Sequence, residues 1–249
     1  GPVLHIATFK AKDLDRVIDA INGTGYGLTF GLMTRIDDRV QHVSDRILAG
    51  NIYVNRNQIG AIVGSQPFGG EGLSGTGPKA GGPLYLDRFR LHLADQTNET
   101  FAETAVDDLA SALAGQKTTS GETRDLPGPT GEANQYRQEP RLPVLCLGPG
   151  VETAKAQVAR VEAMGGRALA ATRRIEATEL RTLEGFSAAL WWGDEASAHA
   201  YRTALAERDG PILSLVTGLP DKGHAMGERH VCIDTTAAGG NAALLAGQG

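Results

Sequence analysis

Residues 27–54, GLTFGLMTRIDDRVQHVSDRILAGNIYV, decide the fold class. The apolar segments 27–34 and 51–54 are typical of strands, and the residues between them predict a helix that begins at Asp37-Asp38. Both carboxylates lie favourably at the positive end of that helix. Its apolar residues predict one buried stripe: Val40, Val43 and Ile47. Because a strand, a helix and a strand follow one another, the sequence predicts an α/β fold with parallel pairing.

The residues before this segment continue the alternation. Apolar residues between Val3 and Phe9 predict a strand. The next apolar residues have the spacing of one buried helical face: Leu14, Val17, Ile18 and Ile21. Asn22-Gly23 ends this helix, because both residue types readily leave the helical conformation.

Composition excludes several classes of protein. The 24 Lys and Arg residues face 29 Asp and Glu residues, so the net charge is −5 and no basic excess favours a nucleic-acid backbone. The uncharged stretch Thr235–Gly249 is too short and too rich in small residues for a membrane span. Without a signal peptide or a disulfide pattern, the expected compartment is the cytoplasm.

A second α/β run follows residue 143. Its predicted strands are 143–147, 168–171, 188–192 and 212–216, and its predicted helices are 152–164 and 194–207. Between the two runs, one helix is predicted over 105–114. The polar residues 115–140 are rich in Gly, Pro, Thr and Glu, which predicts a connector. Residues 230–234 alternate like one more strand.

A glycine-rich loop system lies between Gly50 and Gly82. Within it, Gly60-Ala61 can present two adjacent backbone N–H groups, and such a nest binds a carboxylate without any side-chain charge. Phe68 is a large apolar residue followed by two flexible glycines, which suits packing on the stem of a small substrate. A glycine-rich surface loop with a core phenylalanine would have the same composition, so both interpretations stay open.

The turn Leu147-Gly148-Pro149-Gly150 stands where a dinucleotide-binding turn would stand, between a strand and a helix. Its pattern departs from the fingerprint: Thr153 replaces the third glycine, and Pro149 lacks the N–H that a pyrophosphate would use. No acidic residue follows the next strand, where a ribose ligand is expected. The turn therefore predicts a degenerate nucleotide-binding fold and no cofactor-binding residue.

The sequence offers neither a clear nucleophile nor a metal site. Cys146 lies in an apolar strand, where a thiol is usually inert, and Cys232 lies in a strand without an evident base. The six histidines are scattered singly, so no triad or metal-ligand spacing can be assembled. We assign no catalytic residue and no metal ligand.

Several segments resemble known proteins. The segments NGTGYGLT at 22–29, AGNIYVN at 49–55 and PFGG at 67–70, with GPV at 1–3, resemble the C-terminal part of the aldehyde dehydrogenase catalytic domain. The longer segments GAIVGSQPFGGEGLSGTGPKAGGPLYL at 60–86 and TTAAGGNAALL at 235–245 resemble the proline utilization A (PutA) family of bifunctional proline catabolic enzymes. LPGPTGEAN at 126–134 and WWGDEA at 191–196 resemble the C-terminal domain of unknown function of its longer members.

The resemblance implies an organisation in three parts. Residues 1–89 would be the end of the aldehyde dehydrogenase catalytic domain, and residues 90–227 a linker and a degenerate Rossmann-like domain that helps to cover a substrate-channelling tunnel. Residues 228–249 would complete an oligomerisation flap, with its strand at 229–234. The implied fold class is therefore α/β throughout.

The resemblance also assigns a substrate site. The backbone at Gly60 and Ala61 would hold the α-carboxylate of L-glutamate-γ-semialdehyde, and Phe68 would pack on its aliphatic stem. Relatives with serine at the position of Ala61 add a hydroxyl contact, so Ala61 leaves only the backbone donor.

Cofactors and partners follow from the same resemblance. NAD would serve the aldehyde dehydrogenase reaction and FAD the proline dehydrogenase reaction. Both cofactors would be bound mainly by regions that precede Gly1. The nucleophilic cysteine and the general base would also lie in those regions. The partners would be those upstream regions, the semialdehyde and further copies of the enzyme through the flap. An aldehyde dehydrogenase for another substrate and a non-catalytic interaction module remain as alternatives.

We predict that these 249 residues alone have no dehydrogenase activity, because covalent aldehyde oxidation needs an activated cysteine and a shaped NAD site. The measurement is NAD reduction with the semialdehyde. Activity that disappears on substitution of Cys146 or Cys232 would contradict the prediction.

Overall fold

The protein is described here by a computed structural model over residues 3–75, 77–90, 92–101, 109–115 and 121–236. The strands are β1 (Tyr26–Gly27), β2 (Thr29–Leu32), β3 (Asn51–Val54), β4 (Glu71–Gly72), β5 (Glu122–Leu126), β6 (Glu132–Pro140), β7 (Val144–Cys146), β8 (Ala168–Ala170), β9 (Ala188–Leu190), β10 (Ser214–Val216) and β11 (Met226–Asp234). The α-helices are α1 (Leu14–Asn22), α2 (Asp37–Arg46), α3 (Leu109–Ala114), α4 (Val151–Glu162), α5 (Glu195–Ala206) and α6 (Lys222–Ala225). Together they form an α/β fold, as the sequence predicts.

A five-stranded mixed sheet in the order β2-β3-β11-β6-β5 carries the glycine-rich loop. Strands β2 and β11 run parallel to β3, whereas β6 is antiparallel to β11 and β5 is antiparallel to β6. All four residues of β3 are buried, because strands flank it on both sides and helices α1 and α2 contribute to the core that it shares. The buried apolar residues of this core are Ile18, Val40, Val43, Ile47, Ala49, Ile52, Val54, Val231 and Ile233.

A separate four-stranded parallel sheet has the order β10-β9-β7-β8. The chain passes from β7 to β8 on one side and then to β9 on the other, so the strand order reverses at β7. In an open α/β sheet, ligands bind at the carboxyl ends of the strands on either side of such a reversal. The Rossmann-like arrangement predicted for this region is therefore present, and the turn after β7 lies at the switch point.

Most of the predicted elements are confirmed, and two are wrong. The helices over 14–21 and 37–47 and the strand over 51–54 appear as α1, α2 and β3, with Ile47 directly after α2. Residues 3–9, predicted as a strand, form no regular structure and are exposed, with Leu4 and Ile6 each 83% accessible. A strand needs a neighbour for its backbone groups, and no described segment pairs with this one.

The predicted connector over 115–140 is the second error. Residues 122–126 and 132–140 form the hairpin β5–β6, which extends the sheet through β11. The hairpin was not predicted because the buried face of β6 consists of Asn134, Tyr136 and Gln138. These residues do not give the alternation of aliphatic and polar side chains that predicts a strand. Gly1-Pro2, the first part of the helix predicted over 105–114, and the tail 237–249 lie outside the described residues.

Candidate functional site

The glycine-rich loop leaves the sheet at the end of β3. Asn55 adopts φ +59°, which directs the chain out of the sheet, and its side chain accepts a hydrogen bond of 3.0 Å from the N–H of Thr34. Asparagine tolerates this left-handed conformation better than most side chains. The start of the loop is thereby fixed to the end of β2.

The predicted carboxylate nest lies on the exposed part of this loop. Gly60 has φ +81°, and a Cβ atom there would meet nothing within 4 Å. The N–H of Ile59 donates to Asn57 Oδ1 at 3.1 Å, and the N–H of Ile62 donates to Gln66 Oε1 at 3.2 Å. Between them, the N–H groups of Gly60 and Ala61 have no acceptor within the described part of the chain.

Phe68 lies eight residues further along, on a firmly held part of the loop. Its backbone exchanges two hydrogen bonds with Ala80, at 3.0 and 2.9 Å, which makes an isolated antiparallel bridge. The Asn51 side chain holds both flanking residues, since its Nδ2 donates to Pro67 O at 2.8 Å and its Oδ1 accepts from Gly69 N at 3.1 Å. Phe68 itself is half-buried, so part of its surface remains accessible.

A buried lysine supports this part of the loop from beneath. Lys79 is 2% accessible, and its Nζ donates to Asn51 Oδ1 at 2.9 Å and to the carbonyl oxygen of Gly69. A Cβ atom on Gly50 would lie 1.9 Å from that carbonyl oxygen and 2.6 Å from the ammonium, so only glycine fits there. Burial lowers the pKa of Lys79 to about 8, against the opposing attraction of Glu71 and Glu228.

Strand β11 contributes a buried carboxylate, Glu228, which binds the backbone of Lys79. Glu228 is 2% accessible, and its carboxylate accepts from the backbone N–H of Lys79 at 2.7 Å and from the Tyr136 hydroxyl. Burial and this carboxylate raise the pKa of the Tyr136 phenol above its usual range, so the phenol remains a donor. The loop is therefore tied to both β11 and β6.

Neither cysteine has the environment of a nucleophile. Cys146 and Cys232 are both inaccessible to solvent, and burial raises both pKa values, that of Cys232 to about 11. Because the thiolate is the reactive form, both side chains remain protonated and inert at neutral pH. In the described ranges, no group of three His, Cys, Asp or Glu side chains could hold a metal ion.

The turn at the switch point of the four-stranded sheet is filled by the chain's own groups. Gln157 takes both backbone groups of Gly148, accepting from its N–H at 3.0 Å and donating to its carbonyl at 2.9 Å. The Glu99 carboxylate accepts from the N–H and the hydroxyl of Thr153, each at 3.1 Å, in the first turn of α4. This is the position that a phosphate takes in a nucleotide-binding turn, so the residues present do not fit NAD.

Sequence reasoning found the loop but missed the residues that hold it. Gly60, Ala61 and Phe68 lie on one loop, as predicted, although their role in substrate binding stays a prediction. Asn51 and Lys79 gave a local signal, since each is a polar residue within an apolar or glycine-rich run. Glu228 gave no local signal in the sequence, because the residue that it binds, Lys79, is 149 positions away.

Comparison with known proteins agrees with the sequence resemblance. The aldehyde dehydrogenase family model matches residues 1–91. The bifunctional protein PutA of Escherichia coli K12 is 37% identical over 98% of this chain, and that of Rhizobium meliloti is 38% identical over 99%. The chain spans only 22% and 24% of these two relatives. The 1-pyrroline-5-carboxylate dehydrogenase of Bacillus subtilis is 46% identical over 41% of this chain and 19% of its own length.

A solved structure supports the fold. Proline utilization A from Corynebacterium freiburgense superimposes on 89% of this chain with a TM-score of 0.57 and 24% identity, and the chain covers 24% of that structure. In the described ranges, no helix is long and apolar enough to cross a membrane.

We predict that the Leu147–Gly150 turn does not bind NAD, because Gln157 uses the N–H of Gly148, Glu99 uses the N–H of Thr153 in the helix that follows, and Pro149 has no N–H. Calorimetry with this chain and NAD should show no binding at sub-millimolar concentrations. Glu99→Ala should also fail to bind, since Gln157 and Pro149 remain. A sub-millimolar Kd for either protein would refute the prediction.

We predict that the buried ammonium of Lys79 makes the free energy of unfolding depend on pH in the alkaline range. The folded-state pKa of about 8 lies below the unfolded value near 10.5, so the unfolded state binds more protons between these values. The free energy of unfolding should therefore rise from about pH 8 to pH 10.5 relative to Lys79→Met, by ~1.4 kcal/mol per pKa unit of lowering. Denaturant titrations of both proteins across this range measure it, and parallel pH profiles would contradict it.

Proposed function

Because residues 1–91 belong to the aldehyde dehydrogenase family and nearly the whole chain is homologous to PutA proteins, we propose that the chain anchors the aldehyde in an NAD-dependent L-glutamate-γ-semialdehyde dehydrogenase. This activity would belong to a bifunctional flavoenzyme that oxidises proline to glutamate. The observation that carries the proposal is the pair of N–H groups at Gly60 and Ala61 that have no acceptor among the described residues.

The nest fits the chemistry of a carboxylate. Two neighbouring N–H groups without an acceptor among the described residues lie where glycine has a positive φ, and such donor pairs bind anionic oxygens. The amides on either side are already bonded to Asn57 and Gln66, so the unsatisfied donors are confined to two residues. A semialdehyde with an α-carboxylate can accept from both, whereas an aldehyde without that group cannot.

Phe68 fits the apolar part of the same substrate. Hydrogen bonds to Asn51 and Ala80 fix the backbone at and beside Phe68, so the ring extends from a fixed point on the loop. A half-buried ring on such a backbone can cover a short aliphatic stem at little cost in backbone entropy. In this proposal the nest selects the carboxylate, and Phe68 directs the stem towards the reacting carbonyl.

Oxidation itself would be carried out elsewhere in the enzyme. NAD accepts the hydride when it is bound, and neither of the two buried cysteines nor the turn after β7 suits this chemistry. We therefore assign NAD, FAD, the nucleophile and the general base to upstream parts of the polypeptide. The exposed apolar residues at the beginning of the described chain support contact with such parts: Val3, Leu4, Ile6 and Phe9.

The remaining segments have structural roles in this proposal. Residues 1–89 would end the catalytic domain, residues 90–227 would form the linker and Rossmann-like lid over the channelling tunnel, and residues 228–249 would complete the oligomerisation flap. The strand of the flap is an interior strand of this chain's sheet, and β5 is the edge strand next to β6, available to a partner subunit. The enzyme would act in the cytoplasm as a homo-oligomer.

We predict that Ala61→Pro in the intact enzyme impairs the semialdehyde selectively. The substitution removes one N–H donor from a charged ligand, which should cost roughly 1.5–3 kcal/mol, or about ten- to hundredfold in kcat/KM. Ala61→Gly keeps the donor and should remain close to the wild type. An aldehyde of equal length without the α-carboxylate should be spared. If Ala61→Pro depresses both aldehydes equally, the loop is only structural.

We predict that Phe68→Ala impairs both aldehydes. The lost apolar contact should cost about 1–3 kcal/mol in kcat/KM, because both substrates have the same stem. The KM for NAD should remain nearly unchanged. Steady-state kinetics with both aldehydes and NAD check this, and an effect on NAD alone would refute the assignment of Phe68.

A further inference from the structure

Gln66 connects the carboxylate nest to the interior of the sheet. Its side chain is almost fully buried, with the residue 2% accessible. The carbonyl oxygen accepts from the N–H of Ile62 at 3.2 Å, and the amide nitrogen donates to Glu132 Oε2 at 2.9 Å. One side chain therefore joins the turn that follows the nest to strand β6.

Glu132 is itself held in place. Its other oxygen, Oε1, lies 2.5 Å from the Arg56 guanidinium, and both side chains are mostly buried, at 18% and 14% accessibility. The guanidinium also lies over the ring of Tyr53, 5.2 Å from its centre. As the first residue of β6, Glu132 pairs with Asp234 of β11, and β11 pairs with β3 at the root of the loop. The acceptor is thus fixed relative to the loop that it supports.

The nest has few other constraints. A Cβ atom on Gly60 or Gly64 would meet nothing within 4 Å, and Val63 is 92% accessible. Both glycines have a positive φ, a conformation that glycine leaves easily. The described contacts that fix the segment are the bond from the Ile59 N–H to Asn57, the bond from the Ile62 N–H to the Gln66 side chain, and two bonds that the Ile62 carbonyl accepts from the backbone N–H groups of Ser65 and Gln66, at 3.2 and 2.8 Å. The peptide group between Ala61 and Ile62 is held only by the Gln66 side chain among the described residues.

We propose that Gln66, held by Glu132, is a positioning residue for the substrate carboxylate. It fixes the plane of the peptide group between Ala61 and Ile62, and thereby orients the two nest donors that precede this group before substrate arrives. The inference rests on the proposed function, and it adds a residue outside the nest on which the carboxylate preference depends. The preference of the site for a carboxylate-bearing aldehyde depends on a strand that follows the catalytic domain in sequence.

Four variants of the intact enzyme test this. Gln66→Met keeps the volume and loses all three side-chain hydrogen bonds: those to Ile62 and Glu132 and the one that the amide donates to Cys232 Sγ at 3.4 Å. Gln66→Glu keeps the acceptor for Ile62 but sets two carboxylates against each other, and Glu132→Gln removes the charge that pairs with Arg56. The double variant Q66E/E132Q exchanges the amide and the carboxylate between the two positions. The hydrogen bond between the two side chains can then form again with donor and acceptor reversed, and the net charge is unchanged.

The expected result is a selective loss followed by rescue. Gln66→Met and Gln66→Glu should each raise the KM for the semialdehyde about tenfold, with kcat and the KM for NAD within about twofold. The aldehyde without the α-carboxylate should change by less than twofold. Q66E/E132Q should recover to within about threefold of the wild type. Equal losses for both aldehydes, or no rescue by the double variant, would overturn the proposal.

Hydrogen exchange at the N–H of Ile62 separates this inference from the proposed function. Gln66→Met should accelerate exchange there about tenfold, while amides in β3 stay protected, and Q66E/E132Q should restore protection. If Ala61→Pro is selective but the Gln66 variants change neither exchange nor KM, only the positioning role fails. If Ala61→Pro impairs both aldehydes equally, the anchor function fails and this inference fails with it.

Discussion

The pairing of β11 between β3 and β6 is the constraint on which the rest of the structure depends. Four residues of β11 run parallel to β3, and nine pair with β6 in the antiparallel direction. Without β11, strand β3 would be exposed along one edge and the β5–β6 hairpin would have no neighbour in its sheet. The same strand delivers Glu228 to Lys79, so sheet formation and loop support have one origin.

Hydrogen bonds between buried polar groups hold the interior beneath the loop in one arrangement. A buried ammonium or carboxylate is costly unless each is paired and hydrogen-bonded. Lys79 meets two oxygens, and Glu228 meets the backbone of Lys79 and the hydroxyl of Tyr136. Such a network tolerates little displacement, which suits the role proposed for the outer part of the loop, where two N–H groups would face one carboxylate.

Local periodicity predicted the elements whose partners are near in sequence. Burial against neighbouring elements imposes a regular spacing of apolar residues. This spacing predicted helices α1 and α2 and the strand Asn51–Val54. The candidate loop was also evident from the density of glycine between Gly50 and Gly82, and Gly60 does adopt a positive φ. The β5–β6 hairpin was missed because its inward side chains are amides and a phenol. Their burial depends on hydrogen bonds across the fold, for which a local sequence window contains no signal.

The long separation of the paired segments also sets an order of assembly. Arg56 and Cys232 lie 176 positions apart, yet their side chains are in contact beside β3. Contacts of such long range require the closure of a large loop of chain, and they form late. The loop residues Gln66 and Lys79 are synthesised before Glu132 and Glu228, so their bonds must wait until those strands have emerged. The loop therefore reaches its native shape only when the sheet closes around β11.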